Sequence, residues 1–179
     1  MSDAAFLVAA PQMRDGLFER TVVLVWRHDE DGAIGVVVNR PIDHRLVDVV
    51  EPDPGTDLSS YRDTTIAWGG PVEVNSGTVV TKGQVAEEEG WRLPDGLAVT
   101  RSQDALARLL RCQEPVLLCL GYAGWGPGQL DREIEQGGWL YTDLDAELVF
   151  SVPAEHRYAA ALASLGLSEH MLIMGPGEA

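Results

Sequence analysis

The stretch Glu30 to Pro41, EDGAIGVVVNRP, decides how the first part of the chain folds. It has an acidic tip, a glycine at position 32, and an apolar run that reaches Val38. Upstream, Thr21 to Trp26 is rich in the β-branched residues that favour strands. Because Gly32 can adopt a positive φ, and Pro41 cannot donate to a strand ladder, we predict a β-hairpin whose pairing ends at Pro41.

The remaining patterns predict short strands interspersed with a few helices. We expect a helix that begins near Thr100, where Thr100 and Gln103 fit a capping box and Asp104 and Arg108 fit an i,i+4 ion pair. Strands are predicted at 6–10, 64–68, 77–81, 97–99, 116–120, 139–142 and 147–150, and further helices near 46–50, over 129–136 and from 153 to 166. Without a regular βαβ alternation, this order indicates a mixed α/β, or α+β, chain in a single domain over residues 1–179.

The charge of the chain restricts its partners. Its 179 residues include 13 Lys+Arg against 28 Asp+Glu, for a formal net charge of −15. Since nucleic-acid binding depends on basic residues that neutralise phosphates, direct nucleic-acid binding is disfavoured. An acidic surface suits a basic protein partner, and it also serves solubility alone.

The chain has neither a membrane span nor a secretory signal by sequence. Its apolar runs are far shorter than the ~18–20 residues that cross a bilayer. The two cysteines, Cys112 and Cys119, form no CxxC motif, and Cys119 lies in an apolar run that indicates a core position. We therefore expect a cytoplasmic protein with reduced thiols.

Catalytic and metal-binding motifs are absent from the sequence. There is no GxxxxGK[ST], GxSxG or HExxH pattern and no Cys/His zinc spacing. We predict no catalytic residue, no metal and no cofactor, and expect that the protein is not an enzyme. Asp143 and Asp145 form a DxD pair that suits either a divalent cation or a turn between strands.

A glycine-rich segment is the best candidate for a binding site. Leu120 to Ile134, LGYAGWGPGQLDREI, lies between a predicted buried strand and a helix N-terminus, where free N–H groups favour anions. The alternative is a tight turn in which Trp125 fills the core. Gly69-Gly70 and the corner Asn39-Arg40 are further candidates, since arginine binds carboxylates well, although an internal ion pair explains Arg40 too. The complete candidate set is Asn39, Arg40, Gly69, Gly70, Tyr122, Gly124, Trp125, Gly126 and Gly128.

Three blocks of the sequence resemble the signature blocks of the YqgE/AlgH family. They are FLVAAPQMRDGLFERTVVLVWRHDEDGAIGVVVNRP at 6–41, WGGPVE at 68–73 and LGYAGWGPGQLDREIEQGGWL at 120–140. The resemblance implies a bacterial cytosolic α+β protein with a folded, pseudo-barrel-like β-sheet and flanking helices. It implies no established enzyme activity or cofactor, and an association with alginate regulation under the label of transcriptional regulator. Thr81 stands where family members often have a histidine, so no role of that histidine transfers to this chain.

These observations favour a non-catalytic regulatory or adaptor protein that acts through contacts with a protein partner. Two alternatives remain open. One is a small-ligand or anion-binding protein, or an enzyme, that uses the Gly121–Gly128 loop. The other is direct DNA binding, which the family label suggests and the net charge opposes.

Overall fold

The computed structural model describes residues 4–169, and these residues form ten strands and five α-helices. The strands are β1 (Ala5–Ala9), β2 (Val22–Asp29), β3 (Gly32–Val37), β4 (Pro41–Arg45), β5 (Thr65–Trp68), β6 (Val72–Thr81), β7 (Gly90–Arg92), β8 (Ala98–Thr100), β9 (Val116–Trp125) and β10 (Trp139–Thr142). The helices are α1 (Leu46–Val49), α2 (Gln103–Arg111), α3 (Gln129–Glu135), α4 (Ala146–Phe150) and α5 (Ala154–Ser164).

All ten strands belong to one curled sheet that resembles half of a barrel. The main order is β10-β1-β2-β3-β9-β6-β8-β7, and neighbours along it are antiparallel. Strand β5 runs parallel to β9 and carries β4 on its other side. The predicted α+β class, with a folded sheet and flanking helices, is confirmed.

The predicted hairpin is present as β2 and β3. Val23 pairs with Val37, Asp29 pairs with Gly32, and the acidic residues between the strands form the turn. Gly32 has φ 131° and lies so close to the Trp125 carbonyl that a Cβ would overlap it. Pro41 then opens β4, a strand with a single neighbour, where its missing N–H is tolerated.

Strand β9 is the centre of the sheet and is longer than predicted. The expectation that a glycine-rich loop begins at Gly121 is wrong, because the strand continues to Trp125. Its first half pairs with β6 and its second half pairs with β3. The glycines of this half therefore lie within a paired strand, where neighbouring backbones supply the hydrogen bonds.

The strand predicted at 147–150 is wrong, since Ala146–Phe150 is the helix α4. The Asp145 side chain caps this helix by accepting a hydrogen bond from the Glu147 backbone N–H at 3.0 Å. Leu148 and Val149 are buried. A short apolar run of this length is ambiguous between strand and helix, and packing decides it.

The start of α2 also differs from the prediction. Ser102, not Thr100, is the N-cap and accepts a hydrogen bond from the Ala105 N–H at 3.1 Å. Thr100 ends strand β8, and its hydroxyl donates to the Glu89 carbonyl. Arg108 pairs with Glu89 rather than with Asp104.

The sheet separates two hydrophobic cores. Leu117 and Leu118 are neighbours in β9, yet Leu117 belongs to the larger core and Leu118 to the smaller one. Since successive strand residues point to opposite faces, the two cores lie on opposite faces. Buried residues of α4 and α5 join the larger core, and those of α1 and α2 join the smaller. Cys119 is buried in the larger core, as predicted, and both cysteines are free thiols.

Candidate functional site

Asn39 and Arg40 use their polar groups on their own chain. The Asn39 amide accepts from the Val22 N–H at 2.9 Å and donates to the Arg20 carbonyl at 2.9 Å. Arg40 donates to the carbonyls of Leu17 and Glu19 at 2.5 and 3.1 Å. These side chains therefore fix the 11–20 segment, which is most of the connection between β1 and β2, at Leu17, Glu19 and Arg20 against the end of β3.

An aromatic cluster, defined here as Phe18, Trp68, Trp125 and Trp139, lies beside this corner. The Phe18 ring is 6.1, 6.5 and 5.9 Å from the rings of Trp68, Trp125 and Trp139, respectively. The Arg40 guanidinium lies 5.0 Å from the Trp68 ring centroid. Trp125 is only 7% exposed, so its indole lies in the interior of the protein.

The carboxylate of Glu133 in α3 faces this cluster and lacks part of the hydrogen bonding that would stabilise its charge. Among residues 4–169, neither its Oε2 nor the Trp139 Nε1 has a hydrogen-bond partner of normal geometry, and both atoms are buried. Burial raises the pKa of Glu133, while the nearby indoles of Trp125 and Trp139 favour the charged form and Asp15 opposes it.

Gly69 and Gly70 allow two backbones to cross. Gly69 donates to the Leu120 carbonyl at 2.6 Å and accepts from the Val37 N–H at 2.8 Å, so it bridges β9 and β3. A Cβ on Gly69 would overlap the Gly121 carbonyl, and a Cβ on Gly70 would overlap the backbone of Tyr122. The close approach at these glycines is to another strand of the same chain.

The other candidates lie along β9 and in the turn that follows it. Tyr122 packs beneath Arg101, whose guanidinium is 5.3 Å from the ring centroid. Gly124 is exposed on β9. Gly126 donates its N–H to the Gln129 side chain at 3.0 Å, and Gly128 has φ 71° at the start of α3. The aromatic cluster joins Trp125 to the Arg40 corner, whereas Tyr122 contacts Arg101 instead.

The DxD pair has a local structural role at one of its two positions, since Asp145 caps α4 and Asp143 is exposed. Within residues 4–169, no group of three or more His, Cys, Asp or Glu side chains is arranged to hold a metal ion. None of the helices in that range is long and apolar enough to cross a bilayer.

The structure also contains a groove that the sequence did not reveal, named here the α2 groove. It has a volume of about 850 Å³ and lies between α2, β6 and the end of α1. Its apolar lining includes Val49, Leu106, Leu118 and Leu120, and its polar lining includes Glu51 and Arg101. Arg101 also pairs with Glu73 and bonds to Ser76, which partly neutralises its charge.

One exposed valine lies in the α2 groove and another lies in a depression beside it. Val49 is 45% exposed within the groove, and Val74 is 50% exposed in the adjoining depression, which shares Asn75 and Ser76. Val72, 38% exposed, precedes Val74 by two positions. The alternation Val72-Glu73-Val74 is the sequence signal that could have revealed these exposed valines. The strand was predicted to begin at Gly77, whereas β6 begins at Val72.

Comparisons with known proteins agree over nearly the whole chain. A family model described as AlgH-like, DUF179, matches residues 6–170. A UPF0301 protein of Ralstonia nicotianae is 40% identical over 177 residues, which cover 97% of this chain and 93% of that protein. A UPF0301 protein of Neisseria gonorrhoeae is 37% identical, with 97% of each chain covered.

Two solved structures have the same fold. The solution structure of the AlgH protein from Pseudomonas aeruginosa superposes with a TM-score of 0.74 at 33% identity, and covers 98% of this chain and 95% of that one. A crystal structure of a Corynebacterium diphtheriae protein gives a TM-score of 0.75 at 23% identity, with 92% and 87% covered. The second comparison supports the fold alone.

Proposed function

Because this chain belongs to the AlgH-like family and its own sequence carries no catalytic motif, we propose that it is a non-catalytic regulatory or adaptor protein. In this proposal the α2 groove holds an apolar segment of a partner protein that also carries basic side chains. The regulation of a partner then depends on occupancy of the groove.

The observation that carries this proposal is the concentration of exposed apolar side chains at one place. Of the six large apolar side chains that are exposed in residues 4–169, Val49 lies in the α2 groove, Val74 lies in the adjoining depression, and Val72 lies two positions before Val74. Exposed apolar patches with polar rims are typical of interaction surfaces. An amphipathic peptide segment buries its apolar face in a groove of this kind.

Charge supports a basic rather than an acidic partner. The chain has a formal net charge of −15. At the groove Arg101 is engaged by Glu73, while Glu51 forms no ion pair within residues 4–169. A basic segment is therefore attracted over a long range and meets an unpaired carboxylate at the rim.

The test compares two variants of equally exposed residues. Val74→Asp places a charge beside the groove, and Leu17→Asp places the same charge on the 11–20 segment; both side chains are 50% exposed. We expect a fluorescein-labelled amphipathic Leu/Lys peptide to bind the wild type at physiological salt. Val74→Asp should weaken binding roughly 3–10-fold, since covering the exposed half of a valine contributes half of the ~1.5–3 kcal/mol of full burial, while Leu17→Asp should leave it unchanged.

Fluorescence anisotropy gives the affinities, and a matched Leu/Glu peptide is the control for charge. Circular dichroism establishes that both variants are folded. Equal binding to Val74→Asp and Leu17→Asp contradicts the proposal, because it reduces the interaction to non-specific attraction by the acidic surface.

A second candidate function is the binding of a small ligand beside Gly121–Gly128. The buried, unsatisfied Glu133 Oε2 and Trp139 Nε1 favour it. Native mass spectrometry of the protein from its own host should then detect a bound small molecule. Trp125→Phe should lower its occupancy while the fold persists. If the wild type and Trp125→Phe both show only the mass of the chain without a ligand, this candidate is contradicted. The same ligand occupancy in both proteins also contradicts it, and Trp125 is then a core residue.

A further inference from the structure

A second cavity, separate from the α2 groove, lies where α4, α5 and the starts of β5 and β9 meet. Its volume is about 640 Å³, within the range of pockets that hold small molecules. Apolar side chains from four elements or their flanks line it, among them Val38, Ala67, Leu117 and Val149. Among the described residues that line it, Arg157 is the one basic residue, and none of them also lines the groove.

The Arg157 guanidinium has unused hydrogen-bonding capacity. Its Nε donates to the Val152 carbonyl at 2.9 Å and its Nη1 donates to the Val38 carbonyl at 2.5 Å. Within residues 4–169, no hydrogen bond is made by Nη2 and no carboxylate forms an ion pair with Arg157. Guanidinium groups offer five N–H donors, so donors remain for a further acceptor in the cavity.

Burial disfavours the charge of Arg157, while the Glu155 carboxylate favours it from longer range. Burial lowers the pKa of Arg157. The nearby Cys119 thiol gives no compensating charge at neutral pH, because burial raises the pKa of Cys119 to about 12. Arg157 is also the fourth residue of α5, where the positive end of the helix dipole adds to its charge.

Within the described part of the chain, residues 4–169, no side chain caps the helix end beside Arg157. Pro153 occupies the N-cap position and forms no capping hydrogen bond, and Glu155 is the acidic residue of the first turn. Glu155 interacts with Arg157 only at longer range. A half-buried cation without a paired anion is costly, so a bound anion would complete this part of the structure.

We propose that this cavity binds a small monocarboxylate with an apolar body. The carboxylate would accept hydrogen bonds from Arg157, since planar guanidinium groups match carboxylates. The apolar walls would contact the body of the ligand. Asp63, Glu114 and Glu155 also line the cavity, so a ligand with several negative charges, such as a nucleotide, is repelled more strongly than a monocarboxylate.

The experiment titrates the full chain with hexanoate and follows backbone amides by two-dimensional ¹H–¹⁵N NMR. Hexanamide, which has the same body without the charge, is the control ligand. We expect saturable shifts at Ala67, Leu117 and Val149 with hexanoate and none with hexanamide. Arg157→Met should weaken hexanoate binding roughly 10–100-fold, the worth of a hydrogen bond to a charged group. Arg62→Met, at an exposed arginine outside the cavity, should leave binding unchanged.

The wild-type titration keeps the proposal testable even if Arg157→Met does not fold. Equal shifts with hexanoate and hexanamide, the absence of saturable shifts at the cavity amides, or unchanged affinity in a folded Arg157→Met would each overturn it. Val74→Asp should bind hexanoate like the wild type. The proposed carboxylate site and the proposed partner binding in the α2 groove are therefore tested independently.

Discussion

At the scale of single residues, the pairing of Arg108 with Glu89 links α2 to the turn before β7. The two guanidinium nitrogens Nη1 and Nη2 donate to the Glu89 carboxylate at 2.7 and 2.8 Å, and the Ala86 N–H donates to it at 3.1 Å. Such two-pronged pairs are the strongest ionic hydrogen bonds. They lower the pKa of Glu89 from 4.5 to about 2.

A prediction for acid stability follows from this pKa. Because the pKa of Glu89 is lower in the folded chain, its contribution is complete above pH 4.5 and is lost as the pH falls towards about 2. We expect Glu89→Gln to destabilise the protein at pH 7 and to flatten the pH dependence in that window. Urea unfolding midpoints at pH 7, 4 and 3 measure this. Glu87→Gln, in the same acidic run, is the control, and equal slopes for wild type and Glu89→Gln would contradict the prediction.

At the scale of elements, the hairpin was predictable and the continuation of β9 was not. The hairpin depends on local signals, namely β-branched strands and Gly32 in the turn. Gly121 to Trp125 carries glycines that locally favour a turn, and only pairing with β3 makes it a strand. Tertiary packing also explains why 146–150 forms a helix and why Arg108 pairs with Glu89 and not with Asp104.

Only the approximate location of the candidate site could be predicted from the sequence. The motifs predicted one site from Asn39-Arg40, Gly69-Gly70 and the segment after Leu120. Backbone hydrogen bonds join Arg40 to Trp68 and Gly69 to Leu120, whereas Tyr122 contacts Arg101 instead. Hydrogen bonds to the 11–20 segment could not be anticipated, because the partner carbonyls of Arg40 lie about twenty residues earlier in the chain. The α2 groove and the Arg157 cavity were not predictable, since each combines residues from distant segments.

At the scale of the whole molecule, the net charge of −15 opposes direct DNA binding. We expect labelled duplex DNA to show no change in fluorescence anisotropy with this protein at physiological salt. The same titration at low salt, where phosphate contacts are strongest, should show little or no binding. Binding that survives physiological salt and an excess of unlabelled non-specific DNA would contradict this expectation and would make transcriptional regulation by direct contact the better explanation.

The position of β9 along the chain has a consequence for synthesis and folding. Strands β3, β5 and β6 all pair with β9, whose first residue is Val116. While the chain is being made, these three strands therefore have an unpaired edge until β9 has left the ribosome. Ala33 must also find Trp125 about ninety residues away, and pairings of such separation form slowly. The nascent chain thus passes through a period in which exposed strand edges favour association with other chains, and general chaperones are expected to shield it then.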